Sequence, residues 1–512
     1  MIRNVIEYLE KTAERYPNKV AVIDENRQIT FGELREEAIK IAKRIHCVCG
    51  ELYHEPIAVY MKKSVECIIA FCGIAYSGNF YSPIDLNSPP DRIDRIMSVL
   101  QPKVILHDEK AYDGVAAEAV AISMREIADE TGGLTEKYYE KTLDVDPLYV
   151  LFTSGSTGQP KGVVISQKGV IDYTEWLADT FSFNEFTVFG NQAPFYFDNS
   201  ILDIYSTLRN GSTMVIIPER LFTFPGRLLE FIKEKKINTL FWVPSALISV
   251  ANAGVLSDVK LEDLQKVLFC GEVMPNRQLN IWRYVYPDLL YANLYGPTEI
   301  TDVCTYYVVD REFRDDEPLP IGCACKNTQV LVINEANELV GAGEIGELCV
   351  RGTCLSMGYY GDREKTEQVF VQNPLHQRYH DLIYRTGDLV KYNEKGEIIY
   401  VSRKDFQIKH QGHRIELGEI ETAANSLEEV LQSCALYDDN HKKIILICKV
   451  KEGIAEKEIY KKLKSIIPKY MLPSKIRLLE EMPLNLNGKI DRNRLRKEQI
   501  CDEYSDEGHR SR

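Results

Sequence analysis

The residues best suited to chemistry in this chain form one short run, Thr153-Ser154-Gly155-Ser156-Thr157-Gly158-Gln159-Pro160-Lys161-Gly162, directly after the apolar stretch PLYVLF. Glycine permits close approach and positive φ, so backbone N–H groups of such a loop can wrap phosphate oxygens, with hydroxyls and a lysine to assist. The run departs from the common P-loop, G-x-x-x-x-G-K-[ST], because Pro160 precedes Lys161 and Gly162 follows it. On residue types alone a solvated Gly/Ser/Thr turn remains open beside phosphate binding. Two further positions carry a similar pair of readings. Asp198, at the end of Ala193-Pro194-Phe195-Tyr196-Phe197-Asp198, stands ahead of SILDIYSTL, where an aspartate can cap a helix. Lys489 sits in an Asn-Gly-Lys turn, which by itself predicts an exposed lysine. The 13 cysteines include the close pairs Cys47/Cys49 and Cys323/Cys325, with one residue between and no matching Cys/His pair nearby. That spacing disfavours zinc, and reduced thiols in a cytoplasm account for it better.

The elements that must hold these residues alternate as α/β folds do. Residues 32–46 place Leu34, Ala38, Ile41 and Ile45 at helical spacing, and a strand-like run begins at Pro56. A helix over roughly Ser64–Ser77, the buried-strand pattern PKVILHD, the strand PLYVLFT and the helix–strand segment GRLLEFIKEKKINTLFWVPS follow in order. Residues 347–403 are richer in short strands and turns, and from Asp405 the pattern returns to helix and strand. At 512 residues more than one domain is expected. The 45% hydrophobic and 27% charged content are those of a globular protein, and no apolar run is long enough to cross a bilayer. The charged opening MIRNVIEYLEKTAERYPNKV lacks the apolar centre of a signal peptide. A net charge of −14 argues against general nucleic-acid affinity. Residues 406–500 nevertheless hold 18 Lys/Arg against 14 Asp/Glu, so the acidity lies in the first 405. This hints at two domains with different partners.

The string TSGSTGQPKG resembles the phosphate loop of the adenylate-forming superfamily, which includes acyl-CoA synthetases, luciferases, peptide-synthetase adenylation domains and carrier-protein ligases. The resemblance recurs in order along nearly the whole chain. Asn293-Leu294-Tyr295-Gly296-Pro297-Thr298-Glu299 looks like the adenine and magnesium motif. There Tyr295 would pack on adenine, Thr298 meet phosphate and Glu299 hold Mg²⁺, a cation that needs only one or two protein carboxylates when phosphates supply the rest. Tyr384-Arg385-Thr386-Gly387-Asp388 resembles the ribose motif, with Asp388 accepting from both hydroxyls. Arg403 and Asp405 match the arginine and hinge aspartate between the domains, although Ser402 stands where glycine is usual. Asn487-Gly488-Lys489-Ile490-Asp491-Arg492 resembles the catalytic-lysine motif, whose ammonium neutralises charge developing at the carboxylate and α-phosphate. The resemblance thus implies ATP-binding roles for Thr153, Ser154, Gly155, Ser156, Thr157, Gly158, Lys161, Gly271, Glu272, Asn293, Leu294, Tyr295, Gly296, Pro297, Thr298, Asp388 and Arg403. It implies an α/β fold. A large multi-layered N-terminal domain (1–403, two α/β subdomains and a β-rich one) would precede a hinge at 404–405. A small mobile α+β domain (406–500) and a polar tail (501–512) would follow.

Within the family, Asp198 matches the aspartate that pairs with a substrate ammonium, which marks the amino-acid activators. The strings NQAPFYFD, Phe269-Cys270-Gly271-Glu272-Val273 and DFQIKHQGHRIELGEIE look most like the D-alanine–carrier protein ligase branch. There Cys270 would crowd the side chain of an L enantiomer. Asn199, Phe241, Leu294 and Asp302 depart from that branch, which would hold mostly smaller or apolar groups. A buried Asp302 invites a hydroxyl or amine on the substrate, so serine, another small polar amino acid or a diamino acid stands beside D-alanine. The substrate-binding set is Asp198, Asn199, Cys270, Asp302 and Lys489. No phosphopantetheine-attachment serine motif and no H-H-x-x-x-D-G follows, so the expected partner is a carrier protein acting in trans. The expectation is a cytoplasmic ligase using ATP and Mg²⁺. A stand-alone peptide-synthetase-type adenylation enzyme for a polar amino acid, an acyl-CoA synthetase and a non-catalytic homologue are the alternatives. Asp198 weighs against the synthetase, and the intact contexts of Lys489 and Glu299 weigh against the last.

Overall fold

The computed structural model describes residues 2–108, 111–116, 118–127, 138–155, 159–405, 407–439, 441–483 and 490–498. The chain divides into two compact units. The first comprises Met1–Leu86, Met97–Phe152 and Gly162–Lys404; the second comprises Asn87–Ile96, Thr153–Lys161 and the chain from Asp405 onward.

The first unit contains three sheets. A nine-stranded sheet has six parallel strands at its centre, in the order Leu290–Tyr295, Lys266–Phe269, Thr239–Trp242, Val188–Asn191, Thr213–Ile216 and Val20–Ile23. A seven-stranded sheet places Pro147–Thr153 between Phe80–Pro83 and Lys161–Ser166, with Pro56–Tyr60, Val104–His107 and Val120–Ser123 beyond. The third sheet, built from Thr328–Ile333, Ile345–Gly352, Phe370–Gln372, Leu382–Tyr392 and Ile398–Arg403, is antiparallel throughout. Strands of the first two sheets are apolar on both faces because helices cover both, as parallel sheets require. Ile41, Phe71, Leu151, Phe189 and Met214 belong to one continuous core shared by both sheets.

The helices form where the periodicity predicts. Phe31–Cys49 starts at a capping box in which Thr30 and Glu33 satisfy each other's backbone N–H, and Leu34, Ala38, Ile41 and Ile45 are buried along one face. In the next helix, Val65–Tyr76, every residue except Glu66 is buried. A helix apolar all round belongs inside a core. No helix among the described residues is long and apolar enough to cross a membrane.

The second unit carries a hairpin, Gln407–His410 with His413–Glu416, and a three-stranded sheet of Val430–Asp438, Lys443–Val450 and Lys475–Leu478. Helices Leu417–Asn425 and Glu456–Leu463 cover a core that includes Ile420, Leu446, Ile459 and Met471. Residues 87–96 and 153–161 count with this unit, and within it Arg92 pairs with the buried Glu419 and Ser154 Oγ donates to Arg414 O at 2.7 Å.

Candidate active site

Four neighbouring parallel strands of the nine-stranded sheet end side by side, with Asn191 opposite Phe241, Trp242 opposite Phe269 and Phe269 opposite Asn293. Open parallel sheets bind ligands beyond the carboxyl ends of their strands. The segments that leave these ends are Gln192–Asp198, Cys270–Glu272 and Gly296–Asp302. The fold therefore assembles Asp198, Asn199, Cys270, Tyr295, Thr298, Glu299 and Asp302 from more than 100 residues of sequence at one edge.

Asp198 ends its loop as the first cap of the helix Asn199–Asn210, its Oδ1 accepting from Asn199 N at 3.0 Å. The cap reading and the substrate reading of this residue are compatible, since the carboxylate stays half-buried. Asn199 is buried with its Nδ2 unpartnered among the described residues. Cys270 is buried directly after its strand, and Gly271 follows with φ +100°. Phe241 and Leu294 are buried. Asp302 is 1% exposed and already has a partner: Tyr173 donates its hydroxyl to Asp302 Oδ2 at 2.5 Å. Burial, then the Asp302 carboxylate, pushes the Tyr173 phenol well above its usual range and keeps it a donor. The Tyr149 hydroxyl is also buried and unpartnered among the described residues, and burial with Tyr81, Asp198 and Asp302 nearby raises it strongly.

The turn after Tyr295 is tight. A side chain at Gly296 would stand 2.3 Å from Asp302 O and 2.9 Å from Val303 Cα, both backbone atoms. Thr301 and Asp302 adopt φ of +59° and +72° in succession, an uncommon conformation for residues with side chains. Thr298 and Glu299 are buried in this turn, where Tyr359 donates its hydroxyl to Glu299 Oε1 at 2.7 Å. Asn293 donates its side-chain amide to Pro320 O at 2.8 Å. Glu272 Oε2 accepts from Ser245 N at 2.9 Å, at the start of the helix Pro244–Asn252.

A second constellation lies across two antiparallel strands, where Asp388 pairs in register with Arg403. Arg403 Nη1 reaches Asp388 Oδ1 at 3.0 Å and Thr386 O at 2.7 Å, while the Tyr295 hydroxyl donates to Asp388 Oδ2. Asp388 is buried, and backbone N–H of its own residue goes to Thr386 Oγ1 at 3.0 Å. Burial and the adjacent carboxylate keep the Tyr295 phenol neutral.

In the second unit Thr153, Ser154 and Gly155 open the glycine-rich loop. Gly155 admits no side chain, because Gln159 O lies 2.0 Å from where a Cβ would stand. Lys161 Nζ lies 3.7 Å from Glu416 Oε1, with both side chains largely buried. Ser156, Thr157 and Gly158 lie outside the described residues, and so does Lys489. The residues after Lys489 are placed: Asp491 caps the short helix Arg492–Arg496 through Arg494 N, and Arg492 pairs with Glu421 at 2.5 Å. Asp405 Oδ1 accepts from Gln407 N at 3.1 Å, and the division between the units falls immediately before it.

Comparison with known proteins decides the family. The model described as AMP-binding enzyme matches residues 9–360, and that described as AMP-binding enzyme C-terminal domain matches residues 419–489. The chain belongs to the AMP-binding enzyme family. It is similar to the D-alanine–D-alanyl carrier protein ligase of Bacillus licheniformis, 32% identical over 509 residues, covering 96% of this chain and 99% of the relative. It is also similar to an L-proline–L-prolyl-carrier protein ligase of Pseudomonas fluorescens, at 31% identity over 496 residues with 93% and 96% covered. Among solved structures, holo-PA1221, described as an NRPS protein containing adenylation and PCP domains, superposes with a TM-score of 0.84. At 23% identity, with 97% of this chain and 84% of that chain covered, it shares the fold.

In this AMP-binding enzyme the sequence pattern pointed to the carboxylates and loops but missed their phenolic partners. Tyr173 and Tyr359 come from distant stretches and fit ordinary apolar positions in a helix and a strand. Only a buried carboxylate's need for a donor could have prompted a search for them.

Proposed function

We propose that this AMP-binding enzyme is an amino acid–carrier protein ligase that activates D-alanine with ATP and transfers it to a phosphopantetheine thiol. The observation that carries the reading is the placement of Asp198 half-buried at the strand ends, beside Asn199. An ammonium offsets the cost of that carboxylate's burial. The Tyr173 hydroxyl already occupies Asp302 Oδ2, so that oxygen asks for no donor from the substrate, which supports a small apolar substrate side chain. Cys270 and Leu294 are buried in the same apolar cluster as Tyr173.

In the first half-reaction a substrate carboxylate oxygen attacks the α-phosphorus of ATP, the bond to pyrophosphate breaks, and an aminoacyl-AMP forms. Asp388, held by Arg403 and Tyr295, accepts from the ribose hydroxyls. The loop Thr153–Lys161 wraps phosphate oxygens with backbone N–H groups, and Lys489 neutralises charge on the attacking and bridging oxygens. Glu299 fits Mg²⁺: it is a buried carboxylate whose Oε1 accepts from the Tyr359 hydroxyl, and phosphates would complete the cation's shell. When bound, the ion would neutralise charge on pyrophosphate. In the second half-reaction a thiolate attacks the acyl carbon, the acyl–phosphate bond breaks, and AMP leaves with its electron pair. The hinge at Asp405 lets Lys489 withdraw between the two steps, in a protein that works in the cytoplasm. Intact-mass spectrometry of a holo carrier incubated with enzyme, ATP, Mg²⁺, D-alanine and free coenzyme A tests the reading. A thioester-linked alanine is expected, and a carrier of unchanged mass beside alanyl-coenzyme A would overturn it in favour of an acyl-CoA synthetase.

A further inference from the structure

Two buried ionisable groups in the first unit take no part in the chemistry above. Lys63 lies between the strand Pro56–Tyr60 and the helix Val65–Tyr76, so it belongs to the seven-stranded sheet. Its ammonium crosses to the other sheet, where it donates to Gln192 O at 3.0 Å, stands 3.5 Å from Asn191 O and lies 5.4 Å from the centre of the Phe195 ring. Gln192 and Phe195 belong to the loop that ends in Asp198, and Asn191 ends the strand that leads into it. Asp203, fully buried, lies one turn beyond Asn199 on the same helix, and its Oδ2 accepts from Asn191 Nδ2 at 2.8 Å. The residue just before the loop is thus tied to the helix that the loop's last residue caps.

The arrangement is short of donors. Asp203 Oδ1 and Asn191 Oδ1 are both buried without a hydrogen-bond partner among the described residues. A group built for stability alone would send the lysine to the carboxylate, because a buried ion pair needs direct, fully bonded contact to offset desolvation. Here the ammonium goes to backbone carbonyls instead, and the carboxylate to the Asn191 side chain. We propose that Lys63 and Asp203 act as a positioning pair that fixes the root of the loop Gln192–Asp198 and so sets where Asp198 meets the substrate ammonium. The inference rests on the reading of Asp198 given above. Burial brings the two groups toward neutrality from opposite sides, Lys63 down to about 8 and Asp203 up to about 7, each opposed by the other's charge and Lys63 also by Glu219. Removing either charge therefore alters the other and loosens both ties at once.

The test is pyrophosphate exchange by the full chain carrying Lys63→Met, Lys63→Arg, Asp203→Asn or Asp198→Asn, with KM measured separately for amino acid and ATP. Lys63→Met should raise the amino acid's KM about tenfold or more, with kcat and the KM for ATP within about threefold, and Lys63→Arg should recover most of the loss. Asp203→Asn keeps the shape and supplies a donor to Asn191 Oδ1. It should fold even if Lys63→Met does not, and should raise the same KM about threefold. Equal losses in kcat and in both KM values, together with a lowered melting temperature, would make the pair purely structural and overturn the proposal. If Asp198→Asn raises the amino acid's KM while the Lys63 and Asp203 variants leave it unchanged, the pairing alone fails. If Asp198→Asn leaves that KM unchanged, the reading of the ammonium site fails with it.

Discussion

Replacing Tyr173 by phenylalanine removes one oxygen and leaves the ring packing in place. The phenol donates to a carboxylate that is 1% exposed, at 2.5 Å, and the two residues are 129 apart in sequence. A hydrogen bond to a charged group contributes about 1.5–3 kcal/mol, and depriving a buried carboxylate of a donor adds desolvation that is no longer offset. Tyr173→Phe should therefore destabilise the chain by about 2–3 kcal/mol, measured as a shift in the urea midpoint at unchanged m. Asp302→Leu in the Tyr173→Phe background should recover about 1 kcal/mol or more, since the carboxylate that lost its donor has gone. The substrate profile should move as well. With its phenolic donor gone, Asp302 should favour amino acids that bring a hydroxyl or amine, so exchange with serine should rise relative to alanine by about tenfold, equivalent to about 1.4 kcal/mol. A double-mutant coupling near zero, or an unchanged serine-to-alanine ratio, would refute the claim that Tyr173 satisfies Asp302.

Asp388→Asn weakens acceptance from ribose and strands Arg403, so the KM for ATP should rise about tenfold or more in pyrophosphate exchange while the amino acid's KM moves little. Gly296→Ala should leave little folded protein by circular dichroism, because the added Cβ meets backbone at 2.3 Å and no side-chain rotation relieves it. His413 is held neutral, pushed down from 6.5 to about 3 by burial, then by His410 and Arg92, while its ring stacks on Tyr470. Its folded value is depressed, so the unfolded chain binds the extra proton. The associated stability is present above pH 6.5 and is lost as pH falls from there toward 3, at up to about 1.4 kcal/mol per pH unit. The parent's stability should accordingly fall faster than that of His413→Phe between about pH 7.5 and 5.5 in urea titrations.

Much of this site was legible because its parts are local. The loop Thr153–Gly162, the turn Asn293–Glu299 and the strand Tyr384–Asp388 each combine glycine with hydroxyl or carboxylate in a short span, and the strands before them follow simple apolar runs. The helices likewise came from one-face periodicity, as with Leu34, Ala38, Ile41 and Ile45. What escaped notice is non-local. Tyr173, Tyr359 and Asp203 read as ordinary members of helices and strands and Lys63 as a residue of a connection, and they acquire a role only when the sheet order brings strand ends together. The same is true of Arg92 and Ser154, whose partners Glu419 and Arg414 lie more than 250 residues away. Glu272 shows the opposite case, a motif residue whose visible work is capping a helix at Ser245.

The central claim is that Asp198 selects an amino acid and that its neighbours select a small one. Pyrophosphate exchange by the purified full chain, run with D-alanine, L-alanine, glycine, D-serine and propionate at equal concentration, tests both at once. The account predicts exchange with D-alanine at least about tenfold above any other acid in the panel, and none above background with propionate, which lacks the ammonium. Propionate turning over as fast as D-alanine would contradict it.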